Sequence, residues 1–388
     1  MPTPQQQTST PAETTARTKL PVRGETVQDR GRNVYFSKGQ DLARQDRWDM
    51  LAKLIAETDR KRASSLSGVS MAALLADGAR SDAVRHARGA VSQGDTEVPG
   101  GILALQEIAE EHENAWGVAL VVARAQIECA WAYEGQVDPY ALPSDPSDGF
   151  LERFEEAATL IERATAQAPE SAEIAATRCD LLAADPRAMD RVDDLHIASV
   201  TTDRDNPGRI RAYGVHLLPR WFGTHERLEE TAQKVARDMR HIWADGGYTW
   251  MWFDALRLDP LAGEVIDTQR FIAGMHAILT SRPDPVLANL FAAYADGMDP
   301  EAAPDDLPAA ALETRARIHA ALPDLTERHL TELHPQVWAR ADALPGASHL
   351  GPLSSGRIAA ATRRAQGAVG MALALTTLPG AVSAAAQL

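Results

Sequence analysis

The sequence predicts an all-α protein in which helical hairpins follow one another along the chain. Apolar residues recur at three- and four-residue spacing in most segments, the spacing of one helix face. On residues 39–61 these apolar positions are Trp48, Leu51, Leu54 and Ile55. Short stretches of proline, glycine and aspartate separate the segments, and no run of alternating β-branched residues indicates a strand.

Charge narrows the classes of partner. The 388 residues include 54 acidic and 39 basic side chains, which gives a formal net charge of −15. A nucleic-acid surface needs basic residues to neutralise phosphates, so we expect no nucleic-acid partner. Repulsion also opposes binding to an anionic membrane. A basic or neutral protein or peptide is the expected partner.

The two ends of the chain differ from its body. Residues 1–33 are rich in proline, glutamine and threonine and are expected to be disordered. Residues 331–388 are expected to form a loosely ordered tail, because Pro335, Pro345 and Pro352 interrupt its pattern. The apolar stretch at 367–382 is shorter than the about 20 residues of a membrane span. It is interpreted as a flexible or weakly docked tail, or alternatively as an anchor or partner-binding segment.

Helices are predicted in order through the first half. Residues 69–91 and 102–112 carry helical patterns, and residues 115–133 are apolar on nearly every side, which predicts a central helix. Residues 135–149 are rich in proline and aspartate and are interpreted as an inserted loop. Further helices are predicted over 150–167, from a Ser171 cap to residue 184, and over 187–201.

Residues 206–256, called here the aromatic segment, form the expected centre of the core. They contain Trp221, Trp243, Trp250 and Trp252, half of the tryptophans in the chain. Residues 267–280 and 285–297 predict one more hairpin. The predicted organisation is therefore a helical-repeat domain over 34–298, an acidic proline-rich linker over 299–308 and terminal helices over 309–330.

The two cysteines favour an intracellular protein. Cys129 and Cys179 each lie in an apolar helical pattern and form neither a disulfide framework nor a CxxC metal motif. They are interpreted as two buried thiols in a reducing cytoplasm.

Two fragments resemble parts of a tetratricopeptide repeat. Ala157, Ile161, Ala164 and Pro169 fall where the second helix of such a repeat has small, large, small and proline residues. Ile210 and Gly214 fall where the first helix keeps a bulky residue and a close-contact glycine. Residues 38–297 thus resemble a degenerate tetratricopeptide-like solenoid, from which the insertion at 135–149 departs.

A narrower resemblance is to a group of uncharacterised bacterial tetratricopeptide-like proteins. These proteins pair a Leu-Pro-Arg/Lys-Trp turn with a Gly-Gly-Tyr segment. The matching positions are Leu218, Pro219, Arg220, Trp221, Gly223, Gly247 and Tyr248. The resemblance implies a helical-repeat fold and no known chemistry.

The LPRWFG turn is the first candidate site. Pro219 ends the preceding helix, and Thr224 after Gly223 can cap the next one, which would hold Arg220 and Trp221 on a rigid corner. This corner could recognise a carboxylate and an apolar side chain. The alternative is structural, with Trp221 filling a gap between helices and Arg220 pairing with an acid such as Asp254.

The Gly-Gly-Tyr segment is the second candidate. Gly246 and Gly247 are expected to end a helix through left-handed backbone angles, and Thr249 to cap the next. Trp250 and Asp254 would then share one helix face. Together with Tyr248 and His216 they could line a pocket near Arg220, although an aromatic stripe at helical spacing is more often part of a core.

No catalytic residue, metal ligand or cofactor is assigned from motifs. The histidines of the aromatic segment form no HxxxH pair, and no GxSxG elbow or phosphate-binding loop occurs. A catalytic triad formed by residues that are distant in the sequence remains an open alternative.

The predicted function is a non-enzymatic protein- or peptide-binding scaffold with a concave surface centred on residues 206–256. Candidate binding residues are Arg220, Trp221, Tyr248, Trp250, Asp254 and His216. The alternatives are an enzyme with a pocket at the same place and a purely structural subunit. An open groove at this place would favour the binding function, and a cavity with convergent polar groups would favour an enzyme. Uniform burial of these residues would favour a structural role.

Overall fold

A computed structural model describes residues 20–95, 97–135, 142–341 and 353–376. Within these ranges the regular secondary structure is helical and contains no strand, which confirms the all-α prediction. The helices of the first half are α1 (Val27–Arg44), α2 (Trp48–Arg60), α3 (Met71–Ser92), α4 (Gly100–Glu111), α5 (Trp116–Tyr133), α6 (Asp148–Gln167), α7 (Ala172–Asp180) and α8 (Ala188–Thr202).

The second half continues the helical pattern with shorter elements. Its helices are α9 (Pro207–His216), α10 (His225–Asp238), α11 (Arg240–Trp243), α12 (Gly246–Leu258), α13 (Thr268–Ser281), α14 (Pro285–Gly297), α15 (Ala309–Ala320), α16 (Leu322–His329), α17 (Pro335–Ala341) and α18 (Ser355–Thr376). In the first half, a 3-10 turn over Leu181–Ala184 lies between α7 and α8.

The beginning of the fold differs from the sequence prediction. The helix expected over residues 39–61 is divided between α1 and α2, because Asp46 adopts a left-handed φ of 54° between them. Helix α1 begins at Val27, so residues 27–33 are helical rather than disordered. A capping box stabilises this start: Asp29 N donates to Thr26 Oγ1 at 2.9 Å, and Thr26 N donates to Asp29 Oδ2 at 3.2 Å. Residues 1–19 lie outside the described ranges.

Two predictions about the interior are confirmed. Helix α5 is buried on most of its surface and packs against α3, α4 and α6. Cys129 and Cys179 are free and buried, and burial raises the pKa of their thiols to about 11 and about 12. Both thiols are therefore protonated and unreactive at neutral pH.

The core consists of two apolar clusters with a buried ionic network between them. One cluster extends from Leu42 to Ile174 and the other from Cys179 to Ala372. Near their junction, Glu173 on α7 forms ion pairs with Arg124 of α5, at 3.1 Å, and Arg209 of α9. Glu173 N also donates to Asp59 Oδ1 of α2 at 3.0 Å. One carboxylate thus links helices from both clusters.

The C-terminal region is more ordered than expected where it is described. Trp338 of α17 is fully buried, and its Nε1 donates to Asn289 Oδ1 of α14 at 2.9 Å. Helix α18 packs against α16 and α17 through Ala365 and other small residues. The expected tail therefore contains two packed helices. Its residues 342–352 and 377–388 lie outside the described ranges, as does the end of the apolar stretch at 367–382.

The segment before α1 contacts the segment before α17. Val22 pairs with Leu333 in a short parallel bridge, and Arg23 forms an ion pair with Glu332 at 2.7 Å. Helix α1 is thereby held beside α17. None of the helices in the described ranges is long and apolar enough to cross a bilayer.

Candidate functional site

The LPRWFG turn forms an internal corner between α9 and α10. Helix α9 ends at His216, and Thr224 caps α10 by accepting a hydrogen bond from Arg227 N at 3.1 Å, as predicted. The carbonyl of Arg220 accepts a hydrogen bond from Leu142 N at 3.3 Å. Through its backbone, this residue therefore holds the segment that leads into α6.

Trp221 fills a gap between helices. Its ring is stacked on His216 with centroids 4.7 Å apart, and it meets Trp131 of α5 edge to face at 6.1 Å. Trp221 is partly buried, and its Nε1 is buried without a hydrogen-bond partner in the described chain. These contacts match the structural alternative for Trp221 more closely than an exposed binding corner.

His216 belongs to a buried histidine pair. Its Nδ1 lies 3.0 Å from Nε2 of His196 on α8, and the His196 ring is stacked on Tyr213 at 4.8 Å. Burial lowers the pKa of His216 to about 4, and burial together with His216 lowers the pKa of His196. Both rings are neutral at pH 7, and one donates to the other. The sequence pattern did not indicate His196, because this residue lies outside the aromatic segment.

Helix α12 is buried along its whole length. Tyr248, Trp250 and Trp252 are all fully buried. The Tyr248 hydroxyl donates to Glu229 Oε2 at 2.6 Å and accepts from Asp267 N at 2.9 Å. Trp250 packs against Phe253 and Phe291. These side chains anchor the interior and present no apolar surface to a partner.

The glycines before α12 have a role other than the predicted one. The left-handed turn residue is Ala244, with φ 51°, whereas Gly246 and Gly247 already belong to α12. A Cβ atom at Gly246 would lie 2.3 Å from Ile278 Cγ1, so this glycine allows α12 to approach α13. Thr249 lies inside the helix and donates to Phe271 O at 2.9 Å instead of capping.

Asp254 pairs with a different arginine from the one expected. Arg211 of α9 donates to both of its carboxylate oxygens, at 2.8 and 2.7 Å. The third Arg211 nitrogen, Nη1, donates to Ser67 O at 2.7 Å. Asp254 is therefore not the acid that the structural alternative suggested as a partner for Arg220. The two parts of the predicted site contact different elements: Trp221 packs against Trp131 of α5, the Arg220 carbonyl bonds to Leu142 before α6, and Asp254 bonds to Arg211 of α9.

A separate groove lies on α6, the 3-10 turn and α8. Its volume is about 780 Å³. Leu151, Phe154, Ile161, Leu182 and Leu195 supply the apolar lining. The sequence contained one indication of this surface, because Leu151 is an apolar residue on the charged side of the amphipathic helix predicted at 150–167.

Charged side chains border the groove on opposite walls. Glu155 and Glu162 lie on α6, whereas Arg178 lies on α7 and Arg187 immediately before α8. In the described chain none of the four has an ion-pair partner within 4.0 Å. Arg191 is bound to Asp185 and is less available. The groove therefore offers an apolar centre between an acidic and a basic wall.

Comparison of the chain with protein-family models, curated proteins and solved structures gave no match. Among the described residues, no group of three or more His, Cys, Asp or Glu side chains converges as a metal site. Function is therefore inferred from this chain's own geometry.

Proposed function

We propose that the protein is a non-enzymatic scaffold that binds a peptide segment of a partner protein in the groove between α6 and α8. The open groove of about 780 Å³ is the observation that carries this proposal. It replaces the aromatic segment as the binding surface, because Tyr248, Trp250 and Asp254 are buried. The aromatic segment acts as structural support for the neighbouring helices.

The side chains that line the groove determine which peptide side chains can bind in it. Phe154, Ile161 and Leu182 are buried at its floor, while Leu151 is 43% exposed at the α6 wall. Apolar side chains of the peptide would pack here and remove this surface from water. A basic residue would face Glu155 and Glu162, and an acidic residue would face Arg178 and Arg187.

A tetratricopeptide-like arrangement around this groove is part of the proposal. Helices α5 and α6 pack as a hairpin, and α6, α7 and α8 then pack in sequence order. Ala157 and Ala164 are fully buried in α6, as small residues at helix contacts require. The pattern changes at α9, which packs mainly on α12. We therefore limit the repeat-like unit to α5–α8 and place the protein, with its two reduced thiols, in a reducing compartment.

Peptide selection from a random displayed library, using the purified full chain, tests the proposal. Selected peptides are measured by fluorescence anisotropy against wild type, Leu151→Asp and the control Leu103→Asp. Leu103 on α4 is matched to Leu151, with exposures of 46% and 43%. We expect Leu151→Asp to weaken binding by roughly tenfold or more, since it removes an apolar contact, and Leu103→Asp to leave it unchanged. Peptides bound equally by both variants, or failure to select any peptide, would contradict the proposal.

A further inference from the structure

Arg32 is a partly buried arginine on α1 without a counter-ion. Its guanidinium has no hydrogen-bond or ion-pair partner in the described chain within 4.0 Å. Burial, together with the nearby charges of Arg340 and Arg211, lowers the pKa of Arg32 to about 10, so it stays charged at neutral pH. Removing a charge from water without a partner is unfavourable.

The carboxylates around Arg32 are already engaged elsewhere. Asp29 accepts from Thr26 Oγ1 at 2.6 Å and lies 3.8 Å from Arg340 Nε. Asp77 forms an ion pair with Arg80 at 2.7 Å. Arg211 is paired with Asp254, which is held by two hydrogen bonds. Each of these acids is paired with an arginine other than Arg32, and Arg32 is left without a counter-ion in the described chain.

The fold brings three arginines from distant parts of the chain near one another. Arg32 lies on α1, Arg211 on α9 and Arg340 on α17. The bridge between Val22 and Leu333, together with the 3.8 Å approach of Arg340 to Asp29, brings α1 and α17 together. The Arg211 guanidinium is held by hydrogen bonds to Asp254 and to Ser67 O, which do not involve Arg32. An arginine without a counter-ion can bind an oxyanion through charge-assisted hydrogen bonds.

We propose that Arg32 is the binding residue of an oxyanion site between α1, α9 and α17, which takes the carboxylate or phosphate group of a small molecule. Arg32 supplies the uncompensated positive charge and donates hydrogen bonds to the anion, whereas Arg211 and Arg340 are paired with Asp254 and Asp29. This site is separate from the α6–α8 groove, and peptide binding there does not depend on it.

Titration of the full chain with inorganic phosphate, and in parallel with acetate, tests the site. Binding is followed by ³¹P line broadening for phosphate and by the thermal midpoint for both anions, at constant ionic strength against chloride. The variants are Arg32→Gln and Arg30→Gln. Arg30 is the control, because it lies on the same helix, is exposed, and its side chain also has no partner within 4.0 Å in the described chain.

We expect at least one of the two anions to raise the thermal midpoint of wild type and of Arg30→Gln in a dose-dependent way. Arg32→Gln should bind roughly tenfold or more weakly, since charge-assisted hydrogen bonds are lost. A response to phosphate alone identifies phosphate-bearing ligands, and a response to acetate alone identifies carboxylates. The proposal fails if neither anion acts differently from chloride, if both variants lose binding equally, or if Arg32→Gln lowers the midpoint in anion-free buffer, because Arg32 would then have a partner within the chain.

Discussion

His196 and His216 form a buried neutral pair whose facing nitrogens are 3.0 Å apart. The pair lies in a column of rings, with Tyr213 stacked on His196 and Trp221 stacked on His216. Protonating both rings would place two charges inside this column. Protonation of the pair at low pH is therefore expected to weaken the packing of α8 against α9.

The histidine pair predicts a loss of stability in mild acid. The folded-state pKa of His216 is about 4, below its ordinary value of 6.5. Between pH 4 and 6.5 the unfolded chain therefore binds more protons than the folded protein does. The stability that the neutral His216 contributes is fully present above pH 6.5 and is lost as the pH falls towards 4. A shift of this size corresponds to a loss on the order of 3 kcal/mol.

Urea unfolding at pH 4.5 to 7.5 measures this dependence. His216→Gln should have a shallower slope of unfolding free energy against pH than wild type, whatever its absolute stability. The control is His86→Gln, because His86 is exposed on α3, and its slope should match that of wild type. An unchanged slope in His216→Gln would refute the assignment.

Glu173 is predicted to be essential for joining the two apolar clusters. Burial raises the pKa of Glu173, but Arg209 and Arg124 outweigh burial and hold it at about 2. Glu173→Gln would leave two arginines without their shared counter-charge, which costs about 3–5 kcal/mol for a buried pair. Chemical denaturation should show this loss, whereas exposed Glu170→Gln should differ from wild type by less than about 0.5 kcal/mol. Equal stability of the two variants would show that the network contributes nothing.

Local features of the fold could be predicted from the sequence. Ser171 and Thr224 cap helices as expected, because a cap depends on residues three positions away. The central position of α5 follows from its apolar composition. The break at Asp46 was not predictable, since a left-handed aspartate within a helical pattern depends on how α1 and α2 pack.

The candidate site could not be predicted, because its contacts link distant residues. Asp254 and Arg211 lie 43 positions apart, and which arginine reaches Asp254 depends on the packing of α9 against α12. Tryptophan content correctly indicated a core, but the same pattern does not distinguish a buried ring from one that lines a groove. The α6–α8 groove arises between helices, and Leu151 alone gave little indication of it.

Two glycine substitutions, one at the contact of α9 with α12 and one on α3, are predicted to have opposite effects on stability. A Cβ atom at Gly214 would lie 1.8 Å from Met251 O, a backbone atom that cannot move alone. Gly214→Ala should therefore separate the helices and destabilise by about 1–3 kcal/mol or more. A Cβ atom at Gly89 on α3 would have no neighbour within 4 Å, and Gly89→Ala should stabilise by about 0.5–1 kcal/mol. Thermal unfolding of both variants checks the signs, and a stabilising Gly214→Ala would exclude this close contact.

Two buried tyrosines provide a test of the interior hydrogen bonds. The Tyr248 hydroxyl bonds to Glu229 and to Asp267 N, so Tyr248→Phe removes two partly buried hydrogen bonds and should cost about 1–3 kcal/mol. The Tyr294 hydroxyl is buried without a hydrogen-bond partner in the described chain. Tyr294→Phe removes only this unsatisfied group and should be neutral or stabilising. Urea unfolding at pH 7 compares the two variants, whose volume changes are the same. A Tyr294→Phe variant as destabilised as Tyr248→Phe would mean that the Tyr294 hydroxyl has a bonding partner in solution, such as a bound water.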